Sequence, residues 1–283
     1  MTLYRLEATD DLVAPTLVAA FDGWIDAGGA ATTAAAYLAE GGAVVARFDA
    51  NTLFDYRARR PTLEIVDGRL AKLTWPELVV RRARPGGRDV LVLTGAEPDF
   101  RWPELADAMV DLAQRWGVVE WISLGAIPAA VPHTRPVPIL GSASAPGLLR
   151  SGVRPGPDGL LRVPSAAISV LEMAVGGAGI PALGYYAQIP HYVSGSYPGA
   201  AVELIQTLER HLDIAIAAGS LAEEARQMRT RLDTATALDE TTKAYVERME
   251  SMVDEARLPS GDELISDIER FLGERRGGTE RLN

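Results

Sequence analysis

Apolar residues fall in short unbroken runs separated by Ala-rich or amphipathic stretches, the pattern of strands buried on both faces that alternate with helices. Leu3 to Ala8, Leu17 to Phe21, Ala43 to Phe48, Asp89 to Thr94, Val118 to Leu124 and Leu183 to Ile189 read as strands. Ala30 to Glu40, Pro103 to Trp116, Pro164-Ser165 through Val175, and Ala200 to Ala218 read as helices, the first ended by Gly41-Gly42 and the second opened by proline. Together they predict an α/β core with a mainly parallel, doubly covered sheet.

Two stretches break that rhythm. Leu63 to Val66 and Leu70 to Thr74 flank Asp67-Gly68, the residue pair that closes a tight hairpin, and Leu78 to Arg82 is placed to extend this antiparallel edge. Gly125 to Gly159 is rich in Pro, Gly and Ser with little periodicity, which reads as a long functional or interface loop. Beyond Gly219 the strands stop. Ser220-Leu221-Ala222-Glu223 and Ser260-Gly261-Asp262-Glu263 have the spacing of capping boxes, Asp239 opens a helix between them, and apolar stripes recur at helical spacing. The predicted organisation is a core over 1–218, a helical appendage over 219–273 built around a helical hairpin, and a disordered tail over 274–283.

Composition narrows the function classes. The net charge of −10 argues against a nucleic-acid surface, which needs a clustered basic face. The chain has no cysteine, so disulfides, thiolate nucleophiles and Cys-ligated zinc are excluded. No charged-then-apolar leader and no apolar run long enough to span a bilayer is present, so a cytoplasmic protein without membrane association is expected.

Candidate chemistry gathers where predicted strands end, the edge at which open α/β sheets bind ligands. Asp22, Asp26, Glu97, Asp99, His133 and Arg135 follow such strands and form the candidate pocket. Glu97 and Asp99 suit an acid and base pair; their plain alternative is capping of the helix that starts near Pro103. His133 and Arg135, held between prolines, join a group that titrates near neutral pH to one that grips carboxylate or phosphate, and the same rigid loop suits protein contact. Gly28-Gly29 could present backbone N–H groups to an anion, but Asp22 and Asp26 would repel it, and in the plain reading Asp26 caps the helix while Trp24 fills an interface. Neither phosphate-loop motif occurs, the three histidines lack metal-ligand spacing, His211 reads as structural, and Ser142 and Ser144 lack the nucleophile-elbow pattern. No catalytic residue, cofactor or metal is therefore assigned.

Four segments in order carry a resemblance. Phe21-Asp22-Gly23-Trp24-Ile25-Asp26-Ala27-Gly28, Phe54-Asp55-Tyr56-Arg57 with Arg59-Arg60-Pro61, Gly95-Ala96-Glu97-Pro98-Asp99, and Pro132-His133-Thr134-Arg135-Pro136 resemble the PAC2 family of proteasome-assembly-chaperone-like proteins, in its actinobacterial branch, across Leu17 to Ala218. The resemblance implies a phosphorylase- or hydrolase-like α/β core, a C-terminal helical addition, and self-assembly into a homo-oligomer such as a trimer. It also points to proteasome subunits as partners and does not imply a known activity. Archaeal relatives can dock on the proteasome through a hydrophobic-Tyr-any-residue tail; Glu280-Arg281-Leu282-Asn283 does not match it, so that docking mode is not expected. The expected function is that of an assembly factor acting through Trp24, Phe54, Tyr56, Arg57, His133 and Arg135. The alternative is a small-molecule binder or hydrolase- or phosphorylase-like enzyme using the strand-end polar cluster.

Overall fold

In chain order the computed structural model contains strands β1 (Tyr4–Leu6), β2 (Thr16–Asp22), β3 (Ala43–Phe48), β4 (Thr62–Val66), β5 (Arg69–Thr74), β6 (Leu78–Ala83), β7 (Val90–Ala96), β8 (Glu120–Ala129), β9 (Ile139–Ala143), β10 (Arg154–Pro155) and β11 (Ala182–Pro190). Its α-helices are α1 (Ala30–Leu38), α2 (Ala50–Leu53), α3 (Trp102–Arg115), α4 (Ala167–Gly177), α5 (Pro198–Leu212), α6 (Leu221–Ala237) and α7 (Glu240–Arg257). The structure describes residues 3–7, 11–150, 152–157 and 159–257. The chain divides into two compact units, 1–235 and 236–283.

Nine strands form one sheet in the order β1-β3-β6-β7-β2-β8-β11-β9-β10. The central four, β7, β2, β8 and β11, are parallel, so their carboxyl ends share one edge. Alternation along β2 distributes the core. Leu17, Ala19 and Phe21 join Leu91, Leu93 and Trp121 on one face, under Leu105, Met109 and Leu112 of α3 and Ile168 and Leu171 of α4. Val18 and Ala20 join Val92, Ile122 and Tyr185 on the other, under α1 and α5. The side chains that α1 buries are chiefly alanines, Ala30, Ala31, Ala34 and Ala35, which lets that helix lie close to the sheet. Each fully buried large side chain contributes about 1.5–3 kcal/mol, and the indole N–H of buried Trp121 donates to Ser123 Oγ at 2.8 Å, so its polar atom is satisfied.

The sheet is parallel at its centre and mixed at its flanks: β1, β3, β6 and β7 pair antiparallel in succession on one side, and β9 pairs antiparallel with β11 and parallel with β10 on the other. Leu78 to Arg82 does not extend the hairpin. As β6 it lies between β3 and β7, because Leu78, Val79 and Val80 are buried there, whereas the hairpin β4–β5 stands as a separate two-stranded sheet. The long loop expected over Gly125 to Gly159 holds the end of β8 and all of β9 and β10; its prolines and glycines obscure strands that are paired through the backbone. Helix α5 stops at Leu212, where Asp213 takes a left-handed conformation with φ of 52°.

Helix α6 opens with buried Leu221, and Met228 and Leu232 pack on the α1/α5 side of the core. In the second unit, α7 is capped by Asp239, whose carboxylate accepts from the N–H of Thr241 at 3.0 Å and from the Thr242 hydroxyl at 2.5 Å. The further helix expected from Ser260 and the tail expected over 274–283 lie outside the described residues. No helix among the described residues is long and apolar enough to cross a membrane.

Candidate functional site

The corner after β2 is organised by two carboxylates. Asp26 pairs in register with Ala126 of β8 and turns its side chain to the start of α1, accepting from the Ala31 N–H at 2.7 Å, from the Thr32 N–H at 3.4 Å, and from the Thr32 hydroxyl. The plain reading of Asp26 as a helix cap describes this geometry. Burial pushes its carboxyl above the usual Asp range and the charge of Asp22 adds to the rise, while the Thr32 and Ala31 hydrogen bonds oppose both. Gly28 and Gly29 supply the left-handed turn between Asp26 and the helix, with φ of 65° and 61°; a Cβ on Gly28 would lie 2.9 Å from Tyr197 Cβ.

Glu97, at the end of β7, is 7% exposed. Its N–H donates to the Asp22 carbonyl, and its carboxylate accepts from the N–H groups of Trp24 at 3.1 Å and Ala167 at 2.8 Å. It therefore ties β2, β7 and the first turn of α4 together. Helix α3, which the plain alternative had Glu97 and Asp99 capping, begins at Trp102 after the N-cap residue Arg101, with no side-chain cap. Gly23 passes so close to this group that a Cβ would stand 2.7 Å from Glu97 Oε2. Asp99 holds the neighbouring loop: it accepts from the Asp55 N–H at 2.9 Å and pairs with Arg59 Nε at 3.3 Å, and Arg59 also reaches the Asp22 carbonyl. Phe54 is buried beneath that loop, Arg57 is exposed, and Tyr56 packs edge-on against Trp75 with centroids 4.7 Å apart. The side chain of Trp24 is 69% exposed.

His133 and Arg135 lie beyond the end of β8. His133 is 2% exposed; its Nδ1 lies 2.7 Å from Tyr192 Oη, and its Nε2 lies 3.2 Å from Asp233 Oδ1 on α6. Its carbonyl accepts from Arg229, also on α6. Arg135 is half-buried. His191 is exposed and bonds through Nδ1 to the Ala129 carbonyl. His211 lies at the opposite edge of the sheet, against Glu120. No cluster of three or more metal-ligating side chains occurs among the described residues.

The PAC2 family model matches residues 20–236, a span holding every contact just described at the carboxyl edge. The chain belongs to the PAC2 family. A PAC2 family protein from Streptomyces avermitilis is 36% identical, covering 82% of this chain and 99% of its own, with a TM-score of 0.73. A Mycobacterium tuberculosis proteasome-assembly chaperone homologue is 34% identical over the same shares, with a TM-score of 0.74. A Corynebacterium glutamicum protein of unknown function reaches a TM-score of 0.84 at 29% identity, over 89% of this chain and 97% of its own. No curated protein matches.

Of the four PAC2 segments, three are joined by hydrogen bonds to their carboxylates and from Arg59. The Asp22–Gly28 corner, the Phe54–Pro61 loop and the Gly95–Asp99 strand end are bound to one another through Glu97, Asp99 and Arg59. The fourth, Pro132–Pro136, is held by Tyr192, Arg229 and Asp233. These three partners escaped sequence reasoning because they lie 59 to 100 positions from His133, and nothing in a polar helix face marks which of its charges will turn inward.

Proposed function

We propose that this PAC2 protein is a cytoplasmic protein-interaction factor of the proteasome-assembly-chaperone kind that works as a homo-oligomer. The observation that carries the reading is the division of labour at the carboxyl edge. Both oxygens of Glu97 and of Asp99 are engaged in hydrogen bonds or an ion pair that hold loops, which leaves the outer surface to exposed aromatic and apolar groups: Trp24, Trp75, Phe100 and the hairpin. The relationship to the mycobacterial assembly-chaperone homologue supports the choice of partner. Affinity capture of the tagged protein from its native cytoplasm, with mass spectrometry against an unrelated tagged control, tests it. Enrichment of proteasome subunits or their precursors is the expected result; recovery of the protein alone removes the assembly role.

A second reading rests on His133, set between Tyr192 and Asp233 in hydrogen-bonding or ion-pair reach. That arrangement suits an imidazole oriented for proton transfer in a hydrolase- or phosphorylase-like enzyme. Replacing His133 and Arg135 with Ala separates the two. Loss of partner capture or a change in oligomer mass belongs to the assembly factor, whereas loss of ligand-induced thermal stabilisation with assembly intact belongs to the enzyme.

A further inference from the structure

The opposite edge of the sheet, where β2, β7, β8 and β11 begin, holds a cavity of about 680 Å³ closed on one side by the end of α5. Its size is that of a small-molecule site. His211 and Glu120 line it and belong to a connected chain of polar groups: His211 Nε2 lies 2.9 Å from Glu120 Oε2, and behind the lining Tyr185 Oη lies 2.6 Å from His211 Nδ1. The carboxylate accepts from the proton on Nε2, Nδ1 meets the tyrosine hydroxyl, and that hydroxyl accepts from the Arg150 N–H at 3.3 Å. Every member is satisfied, and the network is fixed without a ligand.

The charge above it is not balanced. Arg84, Arg88 and Arg150 line the cavity against Asp89 and Glu120; Asp89 is shared by Arg82 at 2.8 Å and Arg84 at 3.3 Å, and Arg150 stands 4.0 Å from Glu120, so two carboxylates face four guanidinium groups. A cavity with surplus positive charge is unexpected in a chain of net charge −10. Two of these guanidinium groups are preorganised by the same helix end: Arg88 donates to the Leu212 carbonyl, and Arg150 to the His211 carbonyl at 3.1 Å. Each bond uses part of a five-donor fork, so further N–H groups remain for an oxyanion, and the ordering cost is already met. Val90, Leu148, Leu212 and Ile214 give the remaining wall an apolar surface.

We propose that this cavity binds a small molecule carrying one carboxylate or phosphate group on an apolar body, with Arg88 and Arg150 holding the anion. The site lies across the sheet from the PAC2 segments and does not depend on the protein-contact reading.

Calorimetric titration of the full chain at low ionic strength with benzoate, phenyl phosphate and benzylammonium tests this. Saturable binding of benzoate or phenyl phosphate with a Kd of about 1 mM or tighter, and none of benzylammonium, is expected. Which anion binds separates the carboxylate from the phosphate. Arg88→Gln and Arg150→Gln should each weaken binding about tenfold, and Arg226→Gln on exposed α6 should leave it unchanged. Absence of binding by both anions, equal binding of benzylammonium, or affinities unmoved in both cavity variants overturns the proposal. Because those arginines also cap α5, crystals of the unsubstituted protein soaked in phenyl phosphate give an independent answer. Density within hydrogen-bond distance of Arg88 or Arg150 supports the site, and its absence there overturns it.

Discussion

Asp26, Glu97 and Asp99 accept hydrogen bonds from the backbone of segments distant from one another, so their removal is a loss of architecture before it is a loss of chemistry. Glu97→Ala leaves the N–H groups of Trp24 and Ala167 without their acceptor and should cost about 2 kcal/mol. Glu97→Gln retains one carbonyl oxygen and should cost about half as much; urea denaturation of the pair checks the ratio. Asp26 behaves differently because burial holds its pKa above the unfolded value. The folded state therefore binds the proton more tightly than the unfolded chain, and the group's contribution is fully present below its unfolded pKa and lost as pH rises through the folded one. Asp26→Asn removes the titration but keeps an acceptor for the Ala31 N–H. The stability difference, variant minus wild type, should consequently become less favourable to the variant between pH 7 and pH 4, measured by urea midpoints across that range. A constant difference would place the Asp26 charge in a solvated site.

At the scale of elements, the hairpin is the piece whose form exceeds what its own fold needs. Its strands are exposed along their length, and a two-stranded sheet is marginal alone. The register slips between Glu64 and Ile65, so that Leu63 faces Leu73 and Ile65 faces Leu70. The bulge thereby keeps four apolar side chains on one face, with Leu70 75% exposed, while Glu64 and Lys72 pair at 3.4 Å on the other. If this face makes the self-contact, Leu63→Glu with Leu70→Glu should lower the oligomer mass in light scattering and leave the melting temperature of the dissociated chain within a degree or two; an unchanged mass assigns assembly elsewhere. The hairpin was legible because Asp67-Gly68 is a local signal, and β2, β7 and β8 were legible because strands buried on both faces cannot hide their apolar runs. Strand β6 gave the same local signal as a hairpin extension, and only its pairing with β3 and β7 distinguishes the two. Strand β9 is half-covered and flanked by prolines, so its composition resembles a loop. The candidate site was legible as a set of strand ends, but the partners of each side chain were not, since Tyr192 and Asp233 reach His133 from distant positions.

For the whole molecule, charge and apolar surface set opposing demands on self-association. Copies of a chain carrying −10 repel one another, and at low salt the repulsion extends over tens of ångströms. The hairpin face offers an attraction that screening does not weaken, whereas contacts built on Arg57 or Arg135 meeting carboxylates would lose strength with salt. The sign of the salt effect therefore reads out which surface carries assembly. With the hairpin as the contact, raising sodium chloride from about 20 mM to about 300 mM, where the Debye length shrinks from roughly 20 Å to below 8 Å, should increase the oligomer fraction in sedimentation velocity at fixed protein concentration. A decrease would move the contact to the arginine-bearing loops at the carboxyl edge. The leucine-to-glutamate variant sharpens the distinction, because it adds like charge at the proposed contact and should need more salt than the parent to recover the same fraction.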